Sequence, residues 1–294
     1  MADKWLLIGG DSEIGAATFQ FVSKSDRLAL ATTRRQELVS PSRPYFDLAQ
    51  PLKGWRPPQH ASAACIFAAV ARLAACHLDP VGSARINVDQ TIALVERLLE
   101  HDIHVLYLST NQVFDGETPF VAPDAAMTPV SEYGQQKART EAVLQNHIVM
   151  GAPLAILRLA KVISPDMPLI AGWMNSLSKN EPIRAFSNMK VAPTPIDIVI
   201  EAITAILDSR AVGVFQLTGP RDVSYLDVGR FVAERLGAEA SLVMATRAGE
   251  IDMVAGSTPV HTTLDSALLR DRFGISAADP WTVIGSVLAD QSVV

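Results

Sequence analysis

The stretch Trp5-Leu6-Leu7-Ile8-Gly9-Gly10-Asp11-Ser12-Glu13-Ile14-Gly15 decides the fold. Four apolar residues read as a short buried strand, and two glycines then break it. Ser12 opens a helix over Ser12–Ser23, with Ile14, Ala17, Phe21 and Val22 expected on one side. A strand that turns through glycines into a helix N-terminus is a ready cradle for a pyrophosphate. Backbone N–H groups there lack partners, the helix end carries partial positive charge, and glycines admit phosphate close to the main chain. Gly9 and Gly15 hold the outer positions of a GxxGxxG spacing, and Ser12 stands where the middle glycine would. Serine can still offer its N–H and hydroxyl, although its Cβ narrows the approach. Gly9, Ser12, Glu13, Ile14 and Gly15 are therefore the candidate cofactor-binding residues of this loop. An ordinary strand–turn–helix connection has the same local pattern, so neighbouring residues have to decide.

Outward from the loop, Arg27–Thr32 reads as a second strand that ends in Thr32-Thr33-Arg34-Arg35. An NAD site would usually place Asp or Glu there for the ribose hydroxyls. Arg34 can instead hold a 2′-phosphate by charge-assisted hydrogen bonds, which favours NADP(H) over NAD(H). A solvated basic turn is the plainer alternative. Asp47 and Leu48 can meet the adenine edge.

Strands at Ala64–Ala68, His104–Leu108 and Leu154–Leu159 alternate with helices at Ala84–Glu100 and Glu132–Gln145. In the first of those helices Val88, Ile92, Val95 and Leu99 recur at helical spacing. This alternation predicts an α/β, Rossmann-type, doubly wound parallel sheet. After Ser164, prolines at 165, 168, 182, 193 and 195 interrupt the pattern. A helix at Ile196–Leu207 and a strand at Gly213–Leu217 bring the chain back, with further helices at Tyr225–Leu236 and Ser266–Phe273. The predicted division is residues 1–163 plus about 193–219 for an NADP-binding domain. Residues 164–192 plus 220–294 would form a small, discontinuous substrate domain.

Apolar residues make up 49% and charged residues 19% of the 294, which places the chain among globular proteins. A formal charge of -6 argues against a nucleic-acid partner. The two cysteines, Cys65 and Cys76, form no CxxC pair, as in reduced, intracellular proteins. The start, Met1 to Ile8, is too short for a signal peptide, and no stretch reaches the length of a membrane span. A cytoplasmic location is expected. His101 and His104 have no third ligand near in sequence, so no metal site is predicted.

Tyr133-Gly134-Gln135-Gln136-Lys137 places a phenol and an ammonium four residues apart, on one helix face. Carbonyl reduction needs a proton at the oxygen while hydride reaches the carbon, and a lysine cation can lower a tyrosine pKa toward useful values. An exposed Tyr and a solvated Lys would give the same spacing. Some twenty residues upstream, however, Leu108 is expected to end a strand and Ser109-Thr110-Asn111-Gln112 to follow it. Ligands of an open parallel sheet sit beyond the carboxyl ends of its strands.

On these residues the chain resembles an extended short-chain dehydrogenase/reductase, and within that group the dTDP-4-dehydrorhamnose reductases. The resemblance runs from about Lys4 to Leu236. It rests on Ser109-Thr110-x-x-Val113-Phe114-Asp115-Gly116, Tyr133-Gly134-x-x-Lys137, Glu141, Arg158 and Ala192-Pro193-Thr194. It implies that Thr110 orients the carbonyl, Tyr133 donates the proton and Lys137 supports both Tyr133 and the nicotinamide ribose. Ala68 and Ala69 would border the cofactor. Asn111 would face a nucleotide-linked 4-keto-6-deoxyhexose, and a homodimer is implied; Lys161, outside the family pattern, can pair with a phosphate of that substrate or stand as a surface lysine beyond the strand. The chain departs from the family pattern at Ser12, at Phe67 and at Leu159-Ala160-Lys161. Two other readings stay open: an epimerase of the same fold, and a catalytically silent NADP(H)-binding regulatory subunit. A dehydratase is disfavoured, because Asn111 and Gln112 stand where an acidic pair would be needed.

Overall fold

The computed structural model describes residues 4–248 and 258–291. The opening Met1–Asp3 and parts of the predicted substrate domain, 249–257 and 292–294, lie outside them. In chain order the first elements are β1 (Lys4–Ile8), α1 (Glu13–Val22), β2 (Leu28–Ala31) and β3 (Ala61–Ile66). Then come α2 (Leu73–Leu78), α3 (Pro80–Ala84), a π-helical turn over Arg85–Gln90, α4 (Thr91–Leu99) and β4 (His104–Thr110). There follow α5 (Glu132–Val149), β5 (Leu154–Leu159), β6 (Val162–Ile163), α6 (Pro168–Ser178), β7 (Ile183–Phe186), β8 (Lys190–Val191) and β9 (Thr194–Pro195). The chain closes with α7 (Ile196–Ser209), β10 (Gly213–Leu217), β11 (Val223–Ser224), α8 (Tyr225–Leu236), β12 (Val243–Thr246), α9 (Ala267–Phe273) and α10 (Pro280–Gln291).

Six strands form one parallel sheet in the order β10-β5-β4-β3-β1-β2. Beyond β2 the segment 42–46 runs alongside as a rudimentary further strand. Ala31 N–H donates to Ser42 O, Thr33 N–H to Pro44 O, and Phe46 N–H to Thr33 O. The chain leaves β1 toward β2 and returns to β3 on the other side, which opens a crevice at the carboxyl end of β1. The Rossmann-type parallel sheet expected from the sequence is present.

Side chains alternate across the sheet, as a pleated strand requires. Trp5 and Leu7 of β1 point to the face covered by α1 and α7, with Val22, Val199, Ile203 and Ile206. Leu6 and Ile8 point to the opposite face, covered by α4 and α5, with Leu94, Val95, Leu98 and Leu144. Strands buried on both faces read as continuous apolar runs, hence Trp5–Ile8 and Leu154–Leu159. A separate core unites α6, α8 and α10 with β7, β8, β11 and β12 around Trp173, Ile183, Val232 and Ile284.

Several expectations need correction. Phe21 is 53% exposed, and it is Phe19, with Ile14 and Val22, that packs on the sheet. Counted from Ile14 at about 100° per residue, Val22 lies at about 80° and Phe19 at about 140°, so Phe21, at about -20°, sits on the edge of the buried arc. The third strand ends at Ile66, not Ala68, because Phe67 and Ala68 both donate to Ile8 O and turn the chain away. The strand expected to stop at Leu108 continues through Ser109 and Thr110, which pair with Arg158 and Leu159 of β5. The helix expected over Ala84–Glu100 starts earlier and holds the π-helical turn. No helix of the described residues is long and apolar enough to cross a membrane.

Candidate active site

At the carboxyl end of β1, Gly9 takes φ +92, a left-handed conformation that only glycine adopts cheaply. A Cβ there would also lie 2.7 Å from Ala68 N, so the loop lies directly against the end of β3. Thr32 at the end of β2 fixes the same loop by accepting Gly9 N–H at 2.9 Å. Ser12 has an ordinary extended backbone and caps α1: its hydroxyl accepts Gly15 N–H at 3.1 Å and donates to Gly9 O at 2.8 Å. The middle position therefore needs a cap rather than conformational freedom, which accounts for serine in place of glycine. Ser12→Ala is expected to lower folding stability by about 1 kcal/mol, as lost N-caps do, read by chemical denaturation.

Within the described residues the N–H groups of Glu13 and Ile14 have no hydrogen-bond partner. These are the orphan donors of a helix start, and they suit an anion. A cleft of about 480 Å³ runs past this loop. Gly9, Ser12, Arg34, Asp47, Leu48, Ala68 and Ala69 line it, together with Asp11, Thr32, Arg35, Tyr45 and Phe67. The free N–H groups at the helix start and the exposed arginines fit a doubly anionic nucleotide cofactor. Arg34 and Arg35 are exposed, and neither guanidinium makes an ion pair among the described residues. The side chains of Glu13 and Ile14 point elsewhere. Glu13 accepts the Ser164 hydroxyl, and Ile14 packs against the sheet.

Two strands along, Thr110 closes β4, and its hydroxyl accepts Gln112 N–H at 3.2 Å and donates to Asn111 Oδ1 at 3.4 Å. The first turn of α5 is locked onto this corner. Ser131 caps α5 through Gly134 N–H at 3.0 Å and donates to Gln112 Oε1 at 2.8 Å. A Cβ on Gly134 would run into the Gln112 carbonyl, so glycine here permits the close approach. Tyr133 is thereby held beside the Thr110–Gln112 turn.

Lys137 is buried, donates to Leu108 O at 2.8 Å and lies 4.3 Å from the Tyr107 ring centroid, against 5.9 Å for Tyr133. Burial pushes its ammonium down to about 8, opposed by the Glu141 carboxylate. Burial also pushes the Tyr133 phenol above its ordinary value, with the neighbouring Cys76 acting in the same direction. The sequence reading has the lysine lower the tyrosine. Here desolvation dominates, because the ammonium bonds the Leu108 carbonyl and stands away from the phenol. A phenol so placed keeps its proton at neutral pH.

Behind the pair lies a buried polar network that the sequence did not reveal. Asn87, in the π-helical turn, donates to Gln136 Oε1 at 2.7 Å and to Val70 O at 2.9 Å. Gln136 in turn donates to Ser83 Oγ at 2.7 Å and Glu132 Oε1 at 2.9 Å. Its only sequence signal is a polar residue between Ile86 and Val88 on an otherwise apolar helix face. Nothing local in the sequence marks Asp11 and Arg43 either. Lys161 is exposed just past β5 and does not line the cleft, and Asn111 opens the turn after β4. His104 Nε2 bonds Ala211 O, and His101 bonds Arg97 O.

The family model described as RmlD substrate binding domain matches residues 3–291. Over 208 residues the chain is 24% identical to the probable low-salt glycan biosynthesis reductase Agl14 of Haloferax volcanii, covering 68% of each. The dTDP-4-dehydrorhamnose reductase of Bacillus anthracis, solved with NADP, superposes with a TM-score of 0.79 at 12% identity, over 99% of both chains. The UDP-glucose 4-epimerase of Thermus thermophilus, solved with NAD, gives 0.80 at 18% identity, over 99% of this chain and 100% of the other. At such identities these structures share the fold with this chain, and the fold alone carries reductases and epimerases alike.

Proposed function

We propose, from the premise that the chain belongs to the RmlD substrate binding domain family, that it is a reductase of a nucleotide-linked keto-sugar. The substrate is of the 4-keto-6-deoxyhexose type, and the cofactor is NADP(H) in preference to NAD(H). One observation carries the reading. The cleft beside the Gly9–Gly15 loop and the Tyr133 turn on Thr110–Gln112 both stand at carboxyl ends of one parallel sheet, after β1 and β4 with β3 between them. That is where an open α/β sheet binds and transforms its ligands.

Gly9, Ser12 and the free N–H groups of Glu13 and Ile14 would hold the pyrophosphate, and Arg34 the 2′-phosphate. Asp47, Leu48, Ala68 and Ala69 would border the adenosine and nicotinamide ends. The bound cofactor supplies hydride. Tyr133 carries its proton at neutral pH and gives it to the carbonyl oxygen, which Thr110 orients by its hydroxyl. Lys137, on the same helix face, would be the electrostatic partner of Tyr133 and would hydrogen-bond the nicotinamide ribose. Asn111 and Lys161 would face the sugar nucleotide. The Agl14 relative is named a reductase of glycan biosynthesis, which agrees in class.

Arg34→Ala is expected to weaken NADPH binding about tenfold relative to NADH, the loss of one charge-assisted contact to the 2′-phosphate. Steady-state oxidation of NADPH, with dTDP-4-keto-6-deoxyhexose supplied, tests the activity. Substrate-dependent, net consumption of cofactor is expected. An epimerase would turn over without net consumption, and a silent binder would not turn over at all.

A further inference from the structure

The cleft that Arg34 and Arg35 make basic also contains a carboxylate, Asp11. It sits in the glycine loop, and its Oδ2 accepts the Thr33 hydroxyl at 2.8 Å and Arg34 N–H at 3.1 Å. Asp11 is thus within bonding distance of the residue whose side chain would meet a 2′-phosphate. Burial alone would raise its pKa, but the Thr33 hydroxyl, the Arg34 N–H and the Arg43 guanidinium together hold it below the ordinary carboxylate range. A permanent negative charge next to an entering phosphate is unfavourable unless something cancels it.

Arg43 is placed to cancel it. Arg43 Nη2 meets Asp11 Oδ1 at 2.6 Å, and its side chain is 25% exposed. It reaches this position from the rudimentary strand beyond β2, against the Phe19 ring of α1 at 5.9 Å. Arg43 is not among the residues that line the cleft, and its buried Nε has no hydrogen-bond partner among the described residues. Its charge therefore acts on Asp11 from behind and is not a contact for ligand. Asp11 in turn has three donors on its two oxygens. That leaves it poorly placed to accept both hydroxyls of an unphosphorylated ribose, as the acidic residue of an NAD site does.

Resting on the nicotinamide-cofactor reading above, we infer that the Asp11–Arg43 pair sets cofactor discrimination, with Arg43 a positioning residue that masks Asp11 and admits the 2′-phosphate. The two charges cancel, and Arg34 and Arg35 then dominate the field at that end of the cleft. Without Arg43, Asp11 would oppose the phosphorylated cofactor and leave the unphosphorylated one largely unaffected.

The test is equilibrium binding of NADPH and of NADH to the full chain, followed by cofactor fluorescence without substrate. Arg43→Met should raise the NADPH Kd about tenfold more than the NADH Kd, the effect of one uncompensated charge at partly solvated range. Asp11→Asn/Arg43→Met should return the NADPH Kd to within about threefold of the parent chain, since the charge is gone. Asp11→Asn alone keeps an acceptor for Thr33 and Arg34 and should tighten NADPH selectively. It reads the same interaction if Arg43→Met does not fold. Equal weakening of both cofactors in Arg43→Met, no recovery in the double variant, or no selective gain in Asp11→Asn would each overturn the inference. A parent chain that binds neither cofactor would overturn the nicotinamide reading itself, an outcome distinct from these.

Discussion

Tyr133→Phe is expected to keep cofactor affinity within about twofold while turnover falls by about 10²–10⁴, the usual range for removing a general acid. The variant deletes one oxygen. Nothing in the lock of α5 onto the preceding turn depends on that oxygen, because Ser131, Gly134 and Gln112 make it. Binding and folding should therefore survive. The raised pKa of the phenol has a sign that matters here. A group that gives up a proton must hold it at the working pH, and Tyr133 does so throughout the neutral range. Parallel measurements of kcat and of NADPH Kd check the prediction. A near-normal kcat would remove Tyr133 from the chemistry, and a large loss of NADPH affinity would make its role structural.

The loop from Trp5 to Gly15 was legible because its signals are local: an apolar run, glycines, and a capping serine within three residues of the N–H it serves. The same holds for Tyr133 and Lys137, whose spacing is that of one helix turn. The Asp11–Arg43 pair was not legible, since its partners lie 32 residues apart and meet only when the segment 42–46 runs along β2. The short strands around the second core were illegible for a related reason. That core draws Ile163, Trp173, Ile183, Val191, Val232 and Ile284 from scattered segments, and β6, β8, β9 and β11 are only two residues long. Two residues show no periodicity. Helix α6 begins at Pro168, where proline read as an interruption is instead a favourable first-turn residue.

Glu141→Ala is expected to cost about 3–5 kcal/mol of folding stability, a large share of the total for a chain of this kind. Arg158 is fully buried and meets Glu141 Oε2 through Nη2 at 2.7 Å and through Nε at 3.0 Å. Its Nη1 donates to Pro123 O at 2.9 Å and Gln216 Oε1 at 3.0 Å. Removing the carboxylate leaves a guanidinium in the core with half its bonds and no counter-charge. Arg158→Met does the converse. Because each single variant strands a buried charge, Glu141→Ala/Arg158→Met should be more stable than the sum of the two losses implies. Full recovery is not expected, since Pro123 O and Gln216 Oε1 lose their donor in the double variant. Urea denaturation of the four proteins gives the cycle. Additive losses would mean that the pair is not coupled.

Isotope transfer reads hydride delivery to the sugar carbonyl directly. The chain is incubated with dTDP-4-keto-6-deoxyhexose and NADPH carrying deuterium at the hydride-donating carbon, and the sugar is then examined by mass spectrometry and proton NMR. One deuterium is expected on the former carbonyl carbon, with an equal amount of oxidised cofactor. A sugar product without label, or label that returns to the cofactor with no net oxidation, would contradict it.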